Sequence, residues 1–272
     1  MSNSTNLKVG FSNDIRQIGI VTRYEMLRHL RSKKMYVFAG FVALMLTLLT
    51  VLGVYALGGL STDPKEFISN YVHLVSILVV IGVSLFCASA IASEFDERTA
   101  LLLFPRPMKR LSLFVGKALA CYIVCGALIA LYYAVIMIMS LVYTGSIYPA
   151  TFASLGLALL FMLGTGGFAL LMSTLFNKGA IAVIITFATL FLIFNIIDSM
   201  GMMFNFEPVF SVTYAGVDIA NVIVGNTTTP GYIEGMPVTY YYPSHTTAIA
   251  IMSAWAIVTT TLAALLFNRK EF

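Results

Sequence analysis

Six long apolar blocks constrain this chain more than any other feature of its sequence. A bilayer core about 30 Å thick is crossed by a helix of ~20 mostly apolar residues. Blocks of suitable length occupy 35–60, 68–92, 113–143, 151–176, 180–200 and 246–267. Only 10% of the residues are charged, whereas a soluble domain has roughly 25%. The sequence therefore predicts a protein that crosses the membrane several times.

The apolar blocks indicate helices rather than barrel strands. Only helices and closed barrels satisfy every backbone polar group in lipid, and barrel strands would alternate polar and apolar residues, which these blocks do not. We predict an all-α polytopic membrane protein with six transmembrane helices. Residues 1–34 form an N-terminal segment and 35–272 the transmembrane domain, which includes a charged loop at 93–112 and a long segment at 201–245.

The basic residues predict the orientation. With six spans, all 16 Lys and Arg residues except Lys65 lie on one side of the membrane. Because Lys and Arg are concentrated in cytoplasmic loops, we predict that both termini are cytoplasmic, in the cell membrane. The net charge of +4 then reflects topology, and membrane lipid rather than nucleic acid is the expected partner.

The segment 16–34 has the pattern of an amphipathic entry helix. Ile20, Tyr24, Leu27 and Leu30 form an apolar stripe, which suits a helix lying on the inner membrane surface. An ordinary basic flank before a first span explains the charges equally well. The charged residues that we assign to this helix are Arg23, Glu25, Arg28 and Arg31.

The loop after the second block predicts a short amphipathic helix. Phe95, Thr99 and Leu102 share one helical face. Acidic residues occupy its first turn, where they are favourable, and prolines end it. Such a helix suits docking into a groove of a cytoplasmic partner, although a solvated loop is the alternative. The candidate coupling residues are Glu94, Phe95, Asp96, Glu97, Arg98, Thr99, Leu102, Pro107, Arg110 and Lys117.

This loop resembles the loop between spans two and three of type-2 ATP-binding-cassette (ABC) permeases, including the copper-site-maturation branch. Those chains have an acidic start of the type E-x-E-x-G-T-L, then P-x-x-R and a G-K that enters span three. The matching residues are Glu94, Asp96, Thr99, Leu101, Pro107, Arg110, Gly116 and Lys117. Arg98 stands where many members have Gly, so the local backbone is expected to differ.

Three other segments resemble the same family. Residues 22–33 resemble its K-E-L…R-S-K entry helix, 172–176 the end of its fourth span, and 267–272 its F-x-R-R-D-L ending. Taken in this order on six spans, the motifs cover nearly the whole chain.

The resemblance implies a homodimeric permease that works with two cytoplasmic ABC ATPase subunits. The ATPases would bind ATP and Mg, and this chain would hold no cofactor. Gly116 and Lys117 do not form a phosphate-binding loop, because G-x-x-x-x-G-K-[ST] needs Gly at Leu111 and Ser or Thr at Ala118.

The segment between the last two spans is expected to contain re-entrant outer helices. Residues 209–224 are apolar but too short to span comfortably, and the family has re-entrant helices here. The alternative is a helix lying flat on the outer leaflet. Candidate outer gate residues are Phe210, Tyr214 and Val217.

A few other residues suggest weaker hypotheses. Asp198 could carry a cation or a proton, or be a solvated interfacial residue. Met200, Met202 and Met203 are weak candidate Cu(I) ligands, although Met more often fills apolar gaps. No enzyme motif is present, so we assign no catalytic residue.

The leading hypothesis is the permease subunit of an ABC transporter, an exporter by family resemblance, which is not an enzyme on its own. One alternative is an ion-coupled secondary carrier, for which Asp198 would be the central residue. Another is a membrane anchor that recruits ATPases without transporting anything.

Overall fold

The computed structural model describes residues 11–55, 59–93, 110–233 and 236–269. Within these residues, six helical segments are long and apolar enough to cross a membrane. We number them as spans: one is Lys33–Tyr55, two Pro64–Phe86, three Arg110–Thr144, four Ala150–Leu175, five Gly179–Phe204 and six His245–Arg269. Each overlaps one predicted block, with ends shifted by a few residues, so the prediction of an all-helical six-span protein is confirmed.

An additional helix precedes span one. This entry helix runs from Phe11 to Leu30, and a turn at Arg31 and Ser32 separates it from span one. Six crossings place the entry helix and the end of span six on the same side of the membrane. We call this the inner side and the opposite one the outer side, after the predicted topology.

Span two is a broken helix. Its two helices are Pro64–Val72 and Val75–Phe86. The Asp63 carboxylate begins the first by accepting a hydrogen bond from the Lys65 backbone N–H at 3.1 Å, and Pro64 takes the first helical position, where a missing N–H costs nothing.

Span five changes helical type in its middle. Gly179–Ala188 and Phe194–Phe204 are α-helical, and Thr189–Ile193 between them is a π-helix. The Asn195 side-chain amide donates to the carbonyl oxygens of Phe191 at 2.8 Å and Leu190 at 3.4 Å. These bonds satisfy backbone acceptors that the change of helical type weakens.

Span four is the centre of the packing. It contacts spans two, three, five and six and the helices of the outer segment. Small residues allow span six to approach closely: a Cβ on Gly164 would lie 3.1 Å from the Met252 carbonyl oxygen, and Gly167 faces Thr259 and Thr260. Close approach through small residues is the usual packing mode of membrane helices.

The outer segment folds back onto the spans. It contains two short helices, Val212–Gly216 and Asp218–Val224, which we call the outer helices. A hairpin follows, in which strand β1 (Thr229–Ile233) pairs antiparallel with β2 (Met236–Tyr240), with Thr229 opposite Tyr240. The apolar stretch 209–224 thus contains two short helices, and the hairpin was not predicted.

Candidate functional site at the base of the loop between spans two and three

The predicted coupling residues lie only partly in the described structure. Arg110 and Lys117 are on the first turns of span three. The others fall at 94–109, outside the described residues, and their assignment stays a prediction. They are Glu94, Phe95, Asp96, Glu97, Arg98, Thr99, Leu102 and Pro107. The structure does describe the two ends of this loop, which we call the loop base.

The start of the loop is fixed to span four. The Ser173 hydroxyl oxygen accepts hydrogen bonds from the backbone N–H groups of Ile91 at 2.9 Å and Ala92 at 3.0 Å. Ser173 and Ala92 are fully buried. Because the chain leaves its helix after span two, these N–H groups need a side-chain acceptor, and Ser173 supplies it.

The end of the loop contacts span six. The Arg110 guanidinium donates to the backbone oxygen of Asn268 at 3.5 Å. One turn further along, the Phe114 and Phe267 rings lie 5.8 Å apart between centroids. The first turn of span three therefore rests on the last turn of span six.

A buried ion pair joins span three to the entry helix. The Lys117 ammonium lies 2.5 Å from Glu25 Oε1, and only 2% of the Lys117 side chain is exposed. Arg28 Nη1 is 3.9 Å from the other Glu25 oxygen. A buried ammonium is costly unless it is paired, so Glu25 fixes the entry helix against span three.

Gly116 allows the two helices to come close enough for this pair. A Cβ there would lie 2.7 Å from Val21 Cγ1 and 3.2 Å from the Ile18 carbonyl oxygen. The Thr22 hydroxyl lies 2.8 Å from the Ile18 carbonyl oxygen and 3.2 Å from that of Gly116. The Gly-Lys pair therefore supplies both the space and the charge for docking the entry helix.

The contact continues through His29 to spans three and two. Its imidazole is buried, with Nε2 3.5 Å from the Cys121 sulfur, and it packs edge-on against Phe86 at 5.7 Å. Cys87, Cys121 and Cys125 are all buried free thiols. In the described residues, no group of three or more His, Cys, Asp or Glu side chains is arranged to hold a metal ion.

The opposite face of the entry helix is open. Tyr24 is 71% exposed, and Ile20, Leu27 and Leu30 are also exposed, as are Arg23 and Arg31. The predicted apolar stripe is therefore largely uncovered by the described residues. It faces the surroundings together with the basic residues, while Glu25 and His29 on the other face pack against protein.

The sequence indicated Glu25 and Lys117 as functional residues but did not predict that they form an ion pair. It also did not predict that Ser173 holds the start of the loop. One signal could have located the pair: Lys117 lies inside an otherwise apolar helix, and a charge at such depth requires a partner. The family-like segment 172–176 includes Ser173, but nothing in the sequence indicates that its hydroxyl accepts hydrogen bonds from 91 and 92.

The candidate outer gate residues lie in different environments. Val217 is 42% exposed, between the outer helices. Phe210 is 54% exposed, and its carbonyl accepts from the Trp255 indole at 2.9 Å. Tyr214 is buried and donates to Glu207 at 2.6 Å; burial and this hydrogen bond raise the pKa of its phenol. Their role in gating stays a prediction.

Asp198 and the nearby methionines lie at the outer end of span five. Thr213 donates to one Asp198 carboxylate oxygen at 2.6 Å, and the other is buried without a hydrogen-bond partner. Met200 and Met203 are exposed. The copper hypothesis for Met200, Met202 and Met203 stays a prediction.

A second buried carboxylate, which sequence reasoning missed, belongs to Asp218. It is completely buried, and its two oxygens lie 2.9 Å and 3.0 Å from Nδ1 of His245. This pair joins the second outer helix to the start of span six.

Comparison with known proteins agrees with the six-span architecture. Residues 23–198, about two thirds of the chain, match the model of a family described as ABC-2 family transporter protein. The chain is also 27% identical over 144 residues to the uncharacterized membrane protein YdbK of Bacillus subtilis (strain 168). That alignment covers 50% of this chain and 58% of YdbK, so the chain spans little more than half of that relative. Neither match assigns the chain to the copper-site-maturation branch of the family.

The family match runs from the entry helix through spans one to four and most of span five, and so includes Glu25, Lys117, Ser173 and the loop between spans two and three. The chain is a multi-pass membrane protein that belongs to the ABC-2 family of transporter proteins.

Proposed function

We propose that this chain is the permease subunit of an ABC exporter, that two copies pair with two cytoplasmic ATPase subunits, and that 94–109 receives the ATPase movement. An ABC-2 transporter membrane component works with ATPase subunits; the subunit count, the homodimer, the export direction and the coupling route belong to this proposal. The observation that carries it is the anchored loop base.

The loop base favours coupling because force applied to the loop would reach several spans. Ser173 ties the loop start to span four, and Arg110 contacts span six. Lys117 ties span three to the entry helix. A loop serving only as a solvated connection would not need anchoring contacts at both ends.

We also propose that the outer helices are re-entrant. The Ser76 hydroxyl donates to the Gly216 carbonyl oxygen at 3.1 Å, and Ser76 lies about 18 Å along span two from Pro64. Ser154 of span four donates to the Ile219 carbonyl at 2.6 Å. The contact with Ser76 in particular supports a segment that enters the membrane under cover of protein.

The first test is affinity purification of the tagged chain from its native cells in mild detergent, with mass spectrometry and an ATPase assay. We expect a stoichiometric ABC ATPase. Three loop variants should still assemble with the ATPase but should no longer stimulate its turnover: Glu94→Ala, Thr99→Ala and Arg110→Ala. Lys65→Ala, on the outer side, is the matched control and should retain the stimulation.

Recovery of the chain without an ATPase under several mild conditions would overturn the proposal. Normal stimulation in all three loop variants would overturn the coupling role alone.

The second candidate function is ion-coupled secondary transport. The observation that favours it is the Asp198 carboxylate oxygen that is buried without a hydrogen-bond partner, which is where a proton or cation would bind. Under this candidate, transport persists without ATP, collapses with the ion gradient, and is abolished by Asp198→Asn. Under the ABC proposal, that substitution leaves ATP dependence unchanged.

A further inference from the structure

A cavity of about 390 Å³ opens among spans two, four and five and the outer helices. This volume falls within the usual range for small-molecule sites, about 300–1,000 Å³. It is separate from the loop base, which lies at the inner ends of spans two, three, four and six. We call it the outer cavity.

The lining of the outer cavity changes with depth. Val80, Phe161 and Leu190 line it and are at most 3% exposed, so they form an apolar floor. His73, Asn195 and Asn226 also line it and are exposed, so they form a polar mouth. Val80 lies about 24 Å along span two from Pro64, so the floor reaches the inner half of that span.

The cavity offers hydrogen bonds but no charge to pair with an ion. None of the described residues that line it is Asp, Glu, Lys or Arg. Thr213 lines the cavity and donates a hydrogen bond to Asp198, which lies behind it. An ionised ligand group would lose its hydration there without gaining an opposite charge, which is strongly unfavourable.

The π-helix of span five forms part of the wall. Leu190 and Phe191 belong to it and line the cavity. The Asn195 amide is held by donating to their carbonyl oxygens, which leaves its Oδ1 as an acceptor for a ligand. Single π-turns inside α-helices are rare and, where they occur, are frequently found at functional sites.

From these observations we propose that the outer cavity binds an uncharged amphipathic molecule, with its hydrogen-bonding head at His73, Asn195 and Asn226 and its apolar part against Val80, Phe161 and Leu190. The assignment of this molecule as the transported substrate rests on the proposed permease function. The binding site itself does not.

The test uses the full chain in nanodiscs of uncharged lipid and three photoreactive probes. Each probe carries the same octyl chain with a diazirine, and the head is glucose, trimethylammonium or sulfate. Labelled residues are mapped by mass spectrometry. We expect saturable labelling of the cavity walls in spans two and five by the glucoside, with the charged probes weaker by about tenfold or more.

Two variants that fill the cavity supply an independent readout. Val217 and Ile77 line it and are 42% and 36% exposed, so Val217→Trp and Ile77→Trp enlarge accessible side chains. Both should reduce glucoside labelling by about fivefold or more. Val142→Trp, at a 75% exposed position of span three outside the cavity, is the matched control and should label like the parent.

In the parent protein, without any variant, equal labelling of the cavity by the three probes would overturn the inference. A preference for a probe with a charged head would overturn it as well. Glucoside labelling that both filling variants leave unchanged would also overturn it. Competition by butyl glucoside, which stays largely in water, indicates a water-borne ligand. Competition only by a dialkyl glycolipid in the nanodisc indicates a bilayer lipid, and either supports the uncharged class. Because the assay uses no ATPase, its failure is distinct from failure of the permease proposal.

Discussion

The Lys117 ammonium of span three lies 2.5 Å from the Glu25 carboxylate of the entry helix, and almost none of the Lys117 side chain is exposed. Glu25→Ala should lower the free energy of unfolding by about 3 kcal/mol, because it removes the carboxylate and leaves a buried charge. Thermal unfolding in one fixed detergent would measure the loss.

The control for this prediction is Arg23→Ala, an exposed change on the same helix, which should stay within about 0.5 kcal/mol of the parent. Glu25→Leu combined with Lys117→Met should recover part of the loss, since an apolar pair places no charge in the buried contact. Equal stability of Glu25→Ala and Arg23→Ala would contradict the structural role of the pair.

Gly116→Ala should displace the entry helix. The added methyl group would meet Val21 and the Ile18 backbone at less than normal contact distance, and overpacking costs about 1–3 kcal/mol. Gly156→Ala is the matched control, because its Cβ would meet nothing within 4 Å. Accelerated proteolysis of the entry helix in the first variant only is the expected result, and equal rates in both would speak against close packing.

Ser173→Ala should weaken the loop base. Two backbone N–H groups would lose their acceptor, and each unsatisfied buried donor costs about 1–3 kcal/mol. We expect faster hydrogen exchange at 91 and 92, together with reduced stimulation of the partner ATPase.

Ser199→Ala provides the comparison for Ser173, since the Ser199 hydroxyl donates only within its own helix, to the Asn195 carbonyl at 2.8 Å. It should leave exchange and stimulation unchanged. Unaltered exchange at 91 and 92 in Ser173→Ala would show that the hydroxyl is not their acceptor.

His245→Ala should destabilise the outer segment, because the fully buried Asp218 carboxylate would lose the imidazole that contacts both of its oxygens. The loss should be about 1–3 kcal/mol, the cost of a buried acceptor that loses its hydrogen bond. Adding Asp218→Asn to His245→Ala should restore part of it by removing the buried charge. Thermal unfolding of the single and double variants tests this, and a double variant less stable than His245→Ala would contradict it.

The sequence predicts the spans well because each is a local property. About 20 consecutive apolar residues are sufficient to indicate a span, so the six blocks match the six helices to within a few residues. The turn chemistry at Asp63 and Pro64 is also local, yet the predicted second span began later, because the charged first turn of the helix was read as loop.

The loop base could be predicted only in part, because its contacts join residues far apart in the chain. Glu25 and Lys117 were both singled out by family motifs, but their pairing depends on how the entry helix packs. Ser173 gives no signal before Ile91 and Ala92 are placed beside it. The change to a π-helix at Thr189–Ile193 likewise depends on side chains around span five rather than on propensity.

The central position of span four has a consequence for biogenesis. Its close-packing face, which includes Gly164 and Gly167, is covered by span six, and span six is synthesised last of the six. Until span six is made, the face of span four that it will cover is exposed to lipid. Chains truncated before span six should therefore be the ones that membrane proteases remove, whereas lipid-facing substitutions in span one should escape such surveillance.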